Sequence, residues 1–298
     1  MKDTQKLVVS FYKYVKINDS LEFQQQHLEF CKELGLKGRI MVGEEGINGC
    51  VCGPKDIVEE YKKNLRSNPL FSDIDFKEQL VDKPAYRKMF VRLRKEIVNF
   101  GFDVDLKNTA SYMTPKELKE SLDKKEDIVL VDMRNDYEAK IGKFRNARTV
   151  SMCTFRELPE KLNEIEDIKD KKIVTYCTGG VRCEKASAFL KEHGFSNVSQ
   201  LKGGILSFCN EFPDTYWEGK CFVFDDRLAV PMNKNHEPID NCVWCGVKSD
   251  EIMNCHNLDC DKLFISCDGC KEKHNTSCCE GCRVAPKRRK VCVLIQDS

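Results

Sequence analysis

The chain of 298 residues has no excess of charge of either sign and no long apolar run. With 49 Lys and Arg against 48 Asp and Glu, its formal net charge is +1, so a nucleic acid or a membrane surface would need a local basic patch to bind it. No stretch approaches the roughly 20 apolar residues of a membrane span, and the start "MKDTQKLVVSFYKY" has no signal-peptide core. We therefore expect a cytoplasmic protein without a membrane partner.

Cysteine, in contrast, is abundant and unevenly distributed. Eight of the 18 cysteines are scattered over the first 221 residues, and ten fall between Cys242 and Cys292. Since no secretory signal is evident, clustered C-x-x-C pairs favour metal ligands over a disulfide scaffold.

Three segments of the chain differ in pattern. Residues 1–100 give strand and helix signals in the order β-α-β-β-α-β, which predicts a ferredoxin-like sandwich with helices on one face of an antiparallel sheet. Residues 108–222 alternate helical patterns with the apolar runs "IVLVDMR" and "KKIVTYC", which predicts an α/β domain with a mostly parallel sheet. Residues 236–298 are rich in cysteine and poor in apolar runs. This segment is also short, so it cannot build a large core without a covalent or metal cross-link.

The stretch "VTYCTGGVRCEKASAFL" (174–190) places a cysteine between a buried strand and a helix. Backbone N–H groups in such a turn point inward and the helix N-terminus adds positive potential, so we expect Cys177 to be a thiolate at neutral pH. Two glycines permit the curl, and Arg182 can offer two hydrogen bonds to an anion. An ordinary buried cysteine is the alternative, which this six-residue loop disfavours. The loop consists of Cys177, Thr178, Gly179, Gly180, Val181 and Arg182.

The same loop, together with "VDMRNDYE" (131–138), resembles a rhodanese domain. The resemblance implies that Cys177 can accept a sulfane sulfur as a persulfide, that Asp132 and Arg134 match supporting residues of the site, and that "LKGGI" is a later glycine turn. The spacing from Cys177 to Arg182 is C-x4-R, as in sulfur-handling enzymes. Related dual-specificity phosphatases use C-x5-R, so phosphatase chemistry is disfavoured.

Strings that lie farther apart narrow the resemblance. "LVVSFYKYVKI", "GEEGINGCVCG", "VRLRKEIV", "YCTGGVRCEKAS" and "KCFVFDDR" occur in this order and resemble the bacterial tRNA uridine(34) hydroxylase family, from about residue 6 to about residue 230. The resemblance implies an oxygenase that uses molecular oxygen to hydroxylate carbon 5 of the wobble uridine, with the tRNA anticodon loop as partner and Cys177 as an essential residue. No motif for a flavin, a haem or an iron site is visible, so we predict no organic cofactor.

Several roles for Cys177 stay open. Its thiolate can add to carbon 6 of uracil and make carbon 5 electron-rich, or it can first be oxidised to a sulfenic acid or a persulfide. In either case Arg182, Asp132 and Arg134 would position or charge-balance the site. A thiosulfate or persulfide sulfurtransferase is the alternative enzyme, and an RNA-binding adaptor is the alternative without catalysis.

Candidate RNA contacts lie on the strand-like stretch "YRKMFVRLRKEIV". Strand alternation puts Met89, Val91 and Leu93 on one face. The opposite face carries charged residues, and the simplest interpretation is that it is only exposed to solvent. Basic residues that flank an aromatic ring also suit phosphates and a stacked base. This second face carries Lys88, Phe90, Arg92 and Arg94.

The cysteine pairs of the last segment have the spacing of zinc ligands. We predict two structural zinc sites that interleave as in a cross-braced module, with Cys278 able to replace Cys279; a single zinc site and free thiols are the alternatives. The first site would use Cys242, Cys245, Cys267 and Cys270, and the second Cys255, Cys260, Cys279 and Cys282. The basic run "APKRRK" (285–290) adds a candidate salt-sensitive RNA contact.

Overall fold

The structure, a computed structural model, describes residues 5–289. Its N-terminal part has strands β1 Lys6–Tyr14, β2 Lys37–Gly43, β3 Gly46–Pro54, β4 Asp75–Val81 and β5 Met89–Leu93, and helices α1 Ser20–Glu33 and α2 Lys55–Ser67. The strand order is β4-β1-β3-β2-β5, antiparallel throughout except that β5 runs parallel to β2. The first four strands and the two helices confirm the ferredoxin-like prediction, and β5 extends the sheet at one edge.

Alternation along these strands gives the N-terminal sheet two different faces. Val9, Phe11 and Ile40 are buried with Tyr61 of α2 in a core between the sheet and its helices. The opposite face, which carries Tyr12 among other residues, forms one wall of a cavity. We call it the open face, and it is the surface that the next part of the chain approaches.

The middle of the chain forms two further sheets. Its strands are β6 Ser111–Met113, β7 Ile128–Asp132, β8 Gly142–Phe144, β9 Arg148–Thr149, β10 Lys172–Tyr176, β11 Val198–Leu201, β12 Trp217–Phe222 and β13 Ala229–Pro231. Its helices are α3 Pro115–Asp123, α4 Asp136–Ala139, α5 Val181–Glu192 and α6 Gly204–Glu211. The order β6-β11-β10-β7-β9 is parallel throughout, which confirms the predicted parallel sheet, and β13-β12-β8 is a small antiparallel sheet.

Two local predictions in this part have different outcomes. Helix α3 begins with a capping box, as "TPKELKE" predicts: the Glu117 N–H donates to Thr114 Oγ1 at 3.2 Å, and the Thr114 N–H donates to Glu117 Oε2 at 2.7 Å. The stretch "FRELPEKLNEIED" predicts a helix, and Phe155–Ile168 is helical but forms 3₁₀ turns. Pro159 lies inside this segment and has no N–H for an α-helical hydrogen bond, which disfavours a regular α-helix there.

The cysteine-rich part contains a hairpin of β14 Ile252–Asn254 and β15 Leu263–Ile265, followed by the short helices α7 Asp268–Lys273 and α8 Glu280–Arg283. Ile252 and Ile265 pack against Ile141 and Phe222, so this part has an apolar contact with the middle of the chain. Lys290, which ends the run "APKRRK", and Cys292 lie outside the described residues. Among the described helices, none combines the length and the apolar character that spanning a membrane requires.

Candidate active site

The Cys177 loop joins the carboxyl end of β10 to the start of α5. The Gly180 N–H donates a hydrogen bond to Cys177 Sγ at 3.1 Å, and Cys177 itself is 0% exposed. Gly180 has φ +104°, and a Cβ there would lie 2.8 Å from Tyr12 Oη, so the position requires glycine. The loop therefore curls around the sulfur atom as its sequence predicts.

The glycine turn "LKGGI", which leads into α6, packs against the backbone of the Cys177 loop. The N–H groups of Ile205 and Leu206, at the start of α6, donate to the carbonyl oxygens of Cys177 and Thr178 at 3.0 and 3.1 Å. Gly204 of "LKGGI" has φ +63°, and a Cβ there would approach the Cys177 carbonyl oxygen to 2.4 Å. The glycine turn thus permits close contact between α6 and the backbone that carries the nucleophile.

The electrostatic surroundings of Cys177 favour its thiolate. Burial raises the pKa, but a hydrogen bond from Cys183, the charge of Arg182 and the N–H groups of Arg182 and Gly180 outweigh it and lower the pKa of Cys177 to about 6. Burial and the adjacent Cys177 sulfur raise the pKa of Cys183 well above its ordinary value, so Cys183 stays the protonated donor. At neutral pH the site therefore holds one thiolate and one thiol.

Arg182 is held by a carboxylate that the sequence pattern did not point to. Its Nη1 and Nη2 donate to Glu138 Oε1 and Oε2 at 2.6 and 2.8 Å, and both side chains are buried. Nη2 also lies 3.4 Å from Thr178 Oγ1. Arg182 therefore makes its bidentate hydrogen bond to Glu138 and not to an external anion. This pairing fixes the guanidinium beside the loop.

Asp132 and Arg134 form a buried ion pair that is hydrogen-bonded to Tyr176, the residue before Cys177. Arg134 Nη2 donates to Asp132 Oδ2 at 2.6 Å and to the Gly142 carbonyl oxygen at 2.6 Å, and Tyr176 Oη donates to Asp132 Oδ2 at 2.8 Å. Both charged side chains are buried, and neither is among the described residues that line the cavity. The geometry therefore suits a pair that positions the end of β10, one residue before Cys177.

A cavity of about 980 Å³ lies between the open face of the N-terminal sheet and the Cys177 loop. Cys177, Thr178, Gly179, Val181 and Arg182 form one wall. The remaining wall is rich in cations. Among them, four make no ion pair within residues 5–289: Arg39, Arg94, Lys95 and Arg156.

The predicted RNA-contact residues are placed at the edge of this cavity. Arg94 lines it, whereas Lys88, Phe90 and Arg92 do not. In the register of β2 and β5, Phe90 pairs with Arg39 and Arg92 with Met41, both of which line the cavity, so the two pairs share the open face. Arg92 Cζ lies 5.1 Å from the centroid of the Phe90 ring, and the ring is 39% exposed. The cavity thus continues outward into a basic and aromatic strip on β5.

Contacts between the N-terminal sheet and α5 close one side of the cavity. The buried Lys185 Nζ lies 2.8 Å from Glu45 Oε2 and 2.7 Å from Glu96 Oε1. Glu184 accepts from Tyr12 Oη at 2.9 Å and from Tyr112 Oη at 2.6 Å. Motif reasoning missed these four acids and bases, although "GEEGING", "RKEIV" and "RCEKAS" all contain charges to which it assigned no structural role.

The cysteines of the last segment gather into two groups of four. In each group the sulfur atoms lie within 4.8 Å of one another, and the groups are Cys242, Cys245, Cys267, Cys270 and Cys255, Cys260, Cys278, Cys282. The pairs interleave along the chain as predicted, but Cys278 takes the place predicted for Cys279. Cys279 is an exposed residue at the N-cap of α8, while Cys278 Sγ lies 3.8 Å from Cys260 Sγ and 3.7 Å from Cys282 Sγ.

These sulfur separations match a tetrahedral metal site. Four thiolates at 2.3 Å from a central ion would lie about 3.8 Å apart, since the edge of a tetrahedron is about 1.6 times its centre-to-vertex distance. Cys245 Sγ and Cys267 Sγ of the first group are 3.7 Å apart. A disulfide would need about 2.05 Å, so both groups are suited to hold a metal ion.

Family models match three stretches of the chain. Residues 6–97 match a UPF0176 acylphosphatase like domain, residues 114–211 a Rhodanese-like domain, and residues 218–283 a model described as Rhodanase C-terminal. With the parallel sheet and the Cys177 loop, these matches define a rhodanese-like protein that also carries an acylphosphatase like domain.

Relatives of known name extend over nearly the whole chain. A tRNA uridine(34) hydroxylase of Cytophaga hutchinsonii is 41% identical over 292 residues, 97% of this chain and 93% of its own. Another of Bacillus licheniformis is 42% identical over 287 residues, 94% of this chain and 89% of its own. A crystal structure of a rhodanese-related protein from Thermoplasma volcanium is 27% identical, covers 34% of this chain and 93% of its own, and gives a TM-score of 0.30. The chain belongs to the tRNA uridine(34) hydroxylase family, which confirms the resemblance seen in its sequence.

Proposed function

We propose that this protein hydroxylates uridine 34 of tRNA at carbon 5, with molecular oxygen as co-substrate and Cys177 as the catalytic nucleophile. The observation that carries the proposal is Cys177, with its sulfur hydrogen-bonded by the Gly180 N–H, at the wall of a large cavity whose cations include four without an ion pair within residues 5–289, in a chain of this family. Because its substrate is tRNA, the protein acts in the cytoplasm.

The proposed role of Cys177 is addition of its thiolate to carbon 6 of the uracil ring. This addition makes carbon 5 electron-rich and able to accept one atom of molecular oxygen. The second oxygen atom leaves as water and takes two electrons and two protons from an external two-electron reductant, which the reaction needs as a further co-substrate. Loss of the proton at carbon 5 and departure of the thiolate then restore the ring double bond. The Gly180 N–H and the Arg182 charge keep the attacking sulfur ionised, and the Asp132–Arg134 pair positions the strand that carries it.

The open face and its outer strip are the proposed tRNA contact. A base that reaches Cys177 must leave the anticodon-loop stack, and single-stranded bases are bound by stacking while their phosphates meet Lys and Arg. Arg39 and Arg94 at the cavity, with Phe90 and Arg92 on β5 and Lys88 just before it, offer these groups along one edge of the sheet.

We also propose that each group of four cysteines holds one structural zinc ion. Thiolates are the ligands that zinc prefers at closed tetrahedral sites, and a segment of this size gains its fold from such ions. The ions would hold the hairpin β14–β15 and the helices α7 and α8 together.

The proposed function predicts that cells without this gene lose 5-hydroxyuridine from position 34 of their tRNA. Mass spectrometry of tRNA nucleosides measures the loss, which the wild-type gene restores and the Cys177→Ala gene does not. Persistence of the nucleoside after deletion, or its restoration by the alanine variant, would contradict the proposal. Turnover of thiosulfate and cyanide by the purified protein, with unchanged tRNA nucleosides, would favour a sulfurtransferase instead.

The proposed RNA surface predicts a salt-dependent loss of affinity. Since each phosphate contact to a single strand contributes about 0.7 to the slope of log K against log salt, the double variant Arg39→Gln, Arg92→Gln should lower the slope by about 1.4. Fluorescence anisotropy of a labelled anticodon stem-loop at several salt concentrations measures it. Lys55→Gln, Lys63→Gln is the matched control, because both lysines are exposed on α2, on the other side of the sheet. An equal change of the salt slope in both double variants would contradict the proposed RNA surface.

A further inference from the structure

Phe224 is an apolar side chain that stays exposed inside the candidate active site. Its ring is 49% exposed, and it lines the same cavity as Cys177. It belongs to the string "FDDR" (224–227), to which neither the sequence pattern nor the proposed reaction gives a role. An exposed aromatic ring at this place needs a reason, since apolar groups are more stable when buried.

The turn that carries Phe224 is fixed by an ion pair of its own and by hydrogen bonds to the N-terminal part of the chain. Arg227 Nη2 donates to Asp225 Oδ2 at 2.6 Å, and its Nη1 donates to Gln79 Oε1 of β4 at 2.6 Å. The Asp226 N–H donates to the carbonyl oxygen of Ala85 at 2.9 Å. Because these hydrogen bonds fix the turn, the Phe224 ring is held in its exposed position.

The neighbours of the ring place it close to the nucleophile loop. Arg182 Cζ lies 5.7 Å from the centroid of the Phe224 ring, and the charge of Arg182 acts directly on Cys177. Phe222 packs edge-on to the ring, with centroids 5.1 Å apart and planes at 84°. One part of the ring is thus supported by Phe222 and Arg182, while its exposed surface belongs to the cavity wall.

We propose that Phe224 is the stacking residue that holds the target base beside Cys177, an inference that rests on the proposed function. A base taken out of the anticodon-loop stack loses its stacking partners, and an aromatic side chain replaces them without regard to sequence. Stacking also fixes the plane of the base. A fixed plane is what addition of the Cys177 sulfur to carbon 6 requires, because attack proceeds at right angles to the ring.

The kinetic test compares three variants of Phe224 in the full chain. Phe224→Leu keeps an apolar side chain on Phe222 but has no ring, so KM for an anticodon stem-loop should rise about tenfold. Phe224→Tyr and Phe224→Trp should stay within about threefold of wild type. In all three the alkylation of Cys177 should keep its midpoint near pH 6, because Arg182 is untouched. An unchanged KM in Phe224→Leu, or a shifted midpoint that marks a purely structural role, would overturn the assignment.

A binding test separates this inference from the proposed reaction. In the Phe224→Trp variant without oxygen, a stem-loop with uridine at position 34 should quench the added tryptophan fluorescence, and a stem-loop without a base at position 34 should not. Equal quenching by both would overturn the stacking role. Selective quenching in a protein that never yields 5-hydroxyuridine would sink the proposed function and leave the stacking role standing.

Discussion

We expect replacement of Cys177 by serine to lower the rate of 5-hydroxyuridine formation by at least about a thousandfold. A serine hydroxyl fits the loop, and the Gly180 N–H can still donate to its oxygen, so the fold is kept. The hydroxyl does not ionise at neutral pH, however, and the site offers a hydrogen-bonded thiol rather than a base to activate it. Single-turnover assays with tRNA and nucleoside mass spectrometry measure the rate.

The reactivity of Cys177 should follow the pKa of its thiol. Iodoacetamide alkylation, followed peptide by peptide with mass spectrometry, should have its midpoint at about pH 6, well below the value near 8.5 of a free cysteine. Because only the thiolate reacts, alkylation of Cys177 should be complete above the midpoint and should be lost as the pH falls through about 6. Cys183→Ala removes the hydrogen bond from its thiol and should move the midpoint upward.

Two results would contradict this account. If Cys177→Ser formed 5-hydroxyuridine at a rate near that of wild type, the sulfur would not be the nucleophile. If the alkylation midpoint of the wild-type protein lay at pH 8 to 9, the loop would not stabilise a thiolate.

The Cys177 loop could be predicted from sequence because its parts are local. Nucleophile, glycines and Arg182 lie within six residues, and the hydrogen bonds that curl the loop involve its own backbone. The partners of its charges are not local. Glu138 reaches Arg182 from a position 44 residues away, and Glu45 reaches Lys185 from the turn between β2 and β3. Charge pairs of this kind depend on how distant elements pack, which a motif does not encode.

The N-terminal part offers a similar contrast. Alternation on "YRKMFVRLRKEIV" predicts which side chains share a face of β5, and the register with β2 agrees with it. The cavity in front of that face depends on contacts such as the hydrogen bond from Tyr12 of β1 to Glu184 of α5, so its existence was not predictable from either segment alone. The position of Phe224 was not predictable for the same reason, since only the packed structure places its ring beside Arg182.

Spacing alone also cannot choose between the adjacent Cys278 and Cys279, because both fit a zinc-ligand pattern with Cys282. The structure differs from the prediction because α8 begins at Glu280, which leaves Cys279 as an exposed N-cap and turns Cys278 towards Cys260. This local geometry has a measurable consequence for metal content.

The protein should contain about two zinc ions per chain, Cys278→Ser should contain about one, and Cys279→Ser should still contain two. Inductively coupled plasma mass spectrometry of the purified full-length variants measures the content. The two substitutions are matched controls for each other, because they make the same chemical change at neighbouring positions. Two ions in Cys278→Ser together with one in Cys279→Ser would assign the ligand to Cys279, and a metal-free wild-type protein would refute both sites.

Removal of zinc should unfold the cysteine-rich segment while the rest of the chain stays folded. Apparent zinc binding free energies of roughly 10–16 kcal/mol in small peptides exceed what so short a segment gains from its few apolar contacts. Trp244, one of two tryptophans, stacks on His274 with ring centroids 3.6 Å apart and would report the change. A chelator should therefore alter Trp244 fluorescence in a Trp217→Phe background. The parallel sheet has its own core around Val131 and Ile173 and does not depend on the metal, so its circular dichroism should persist.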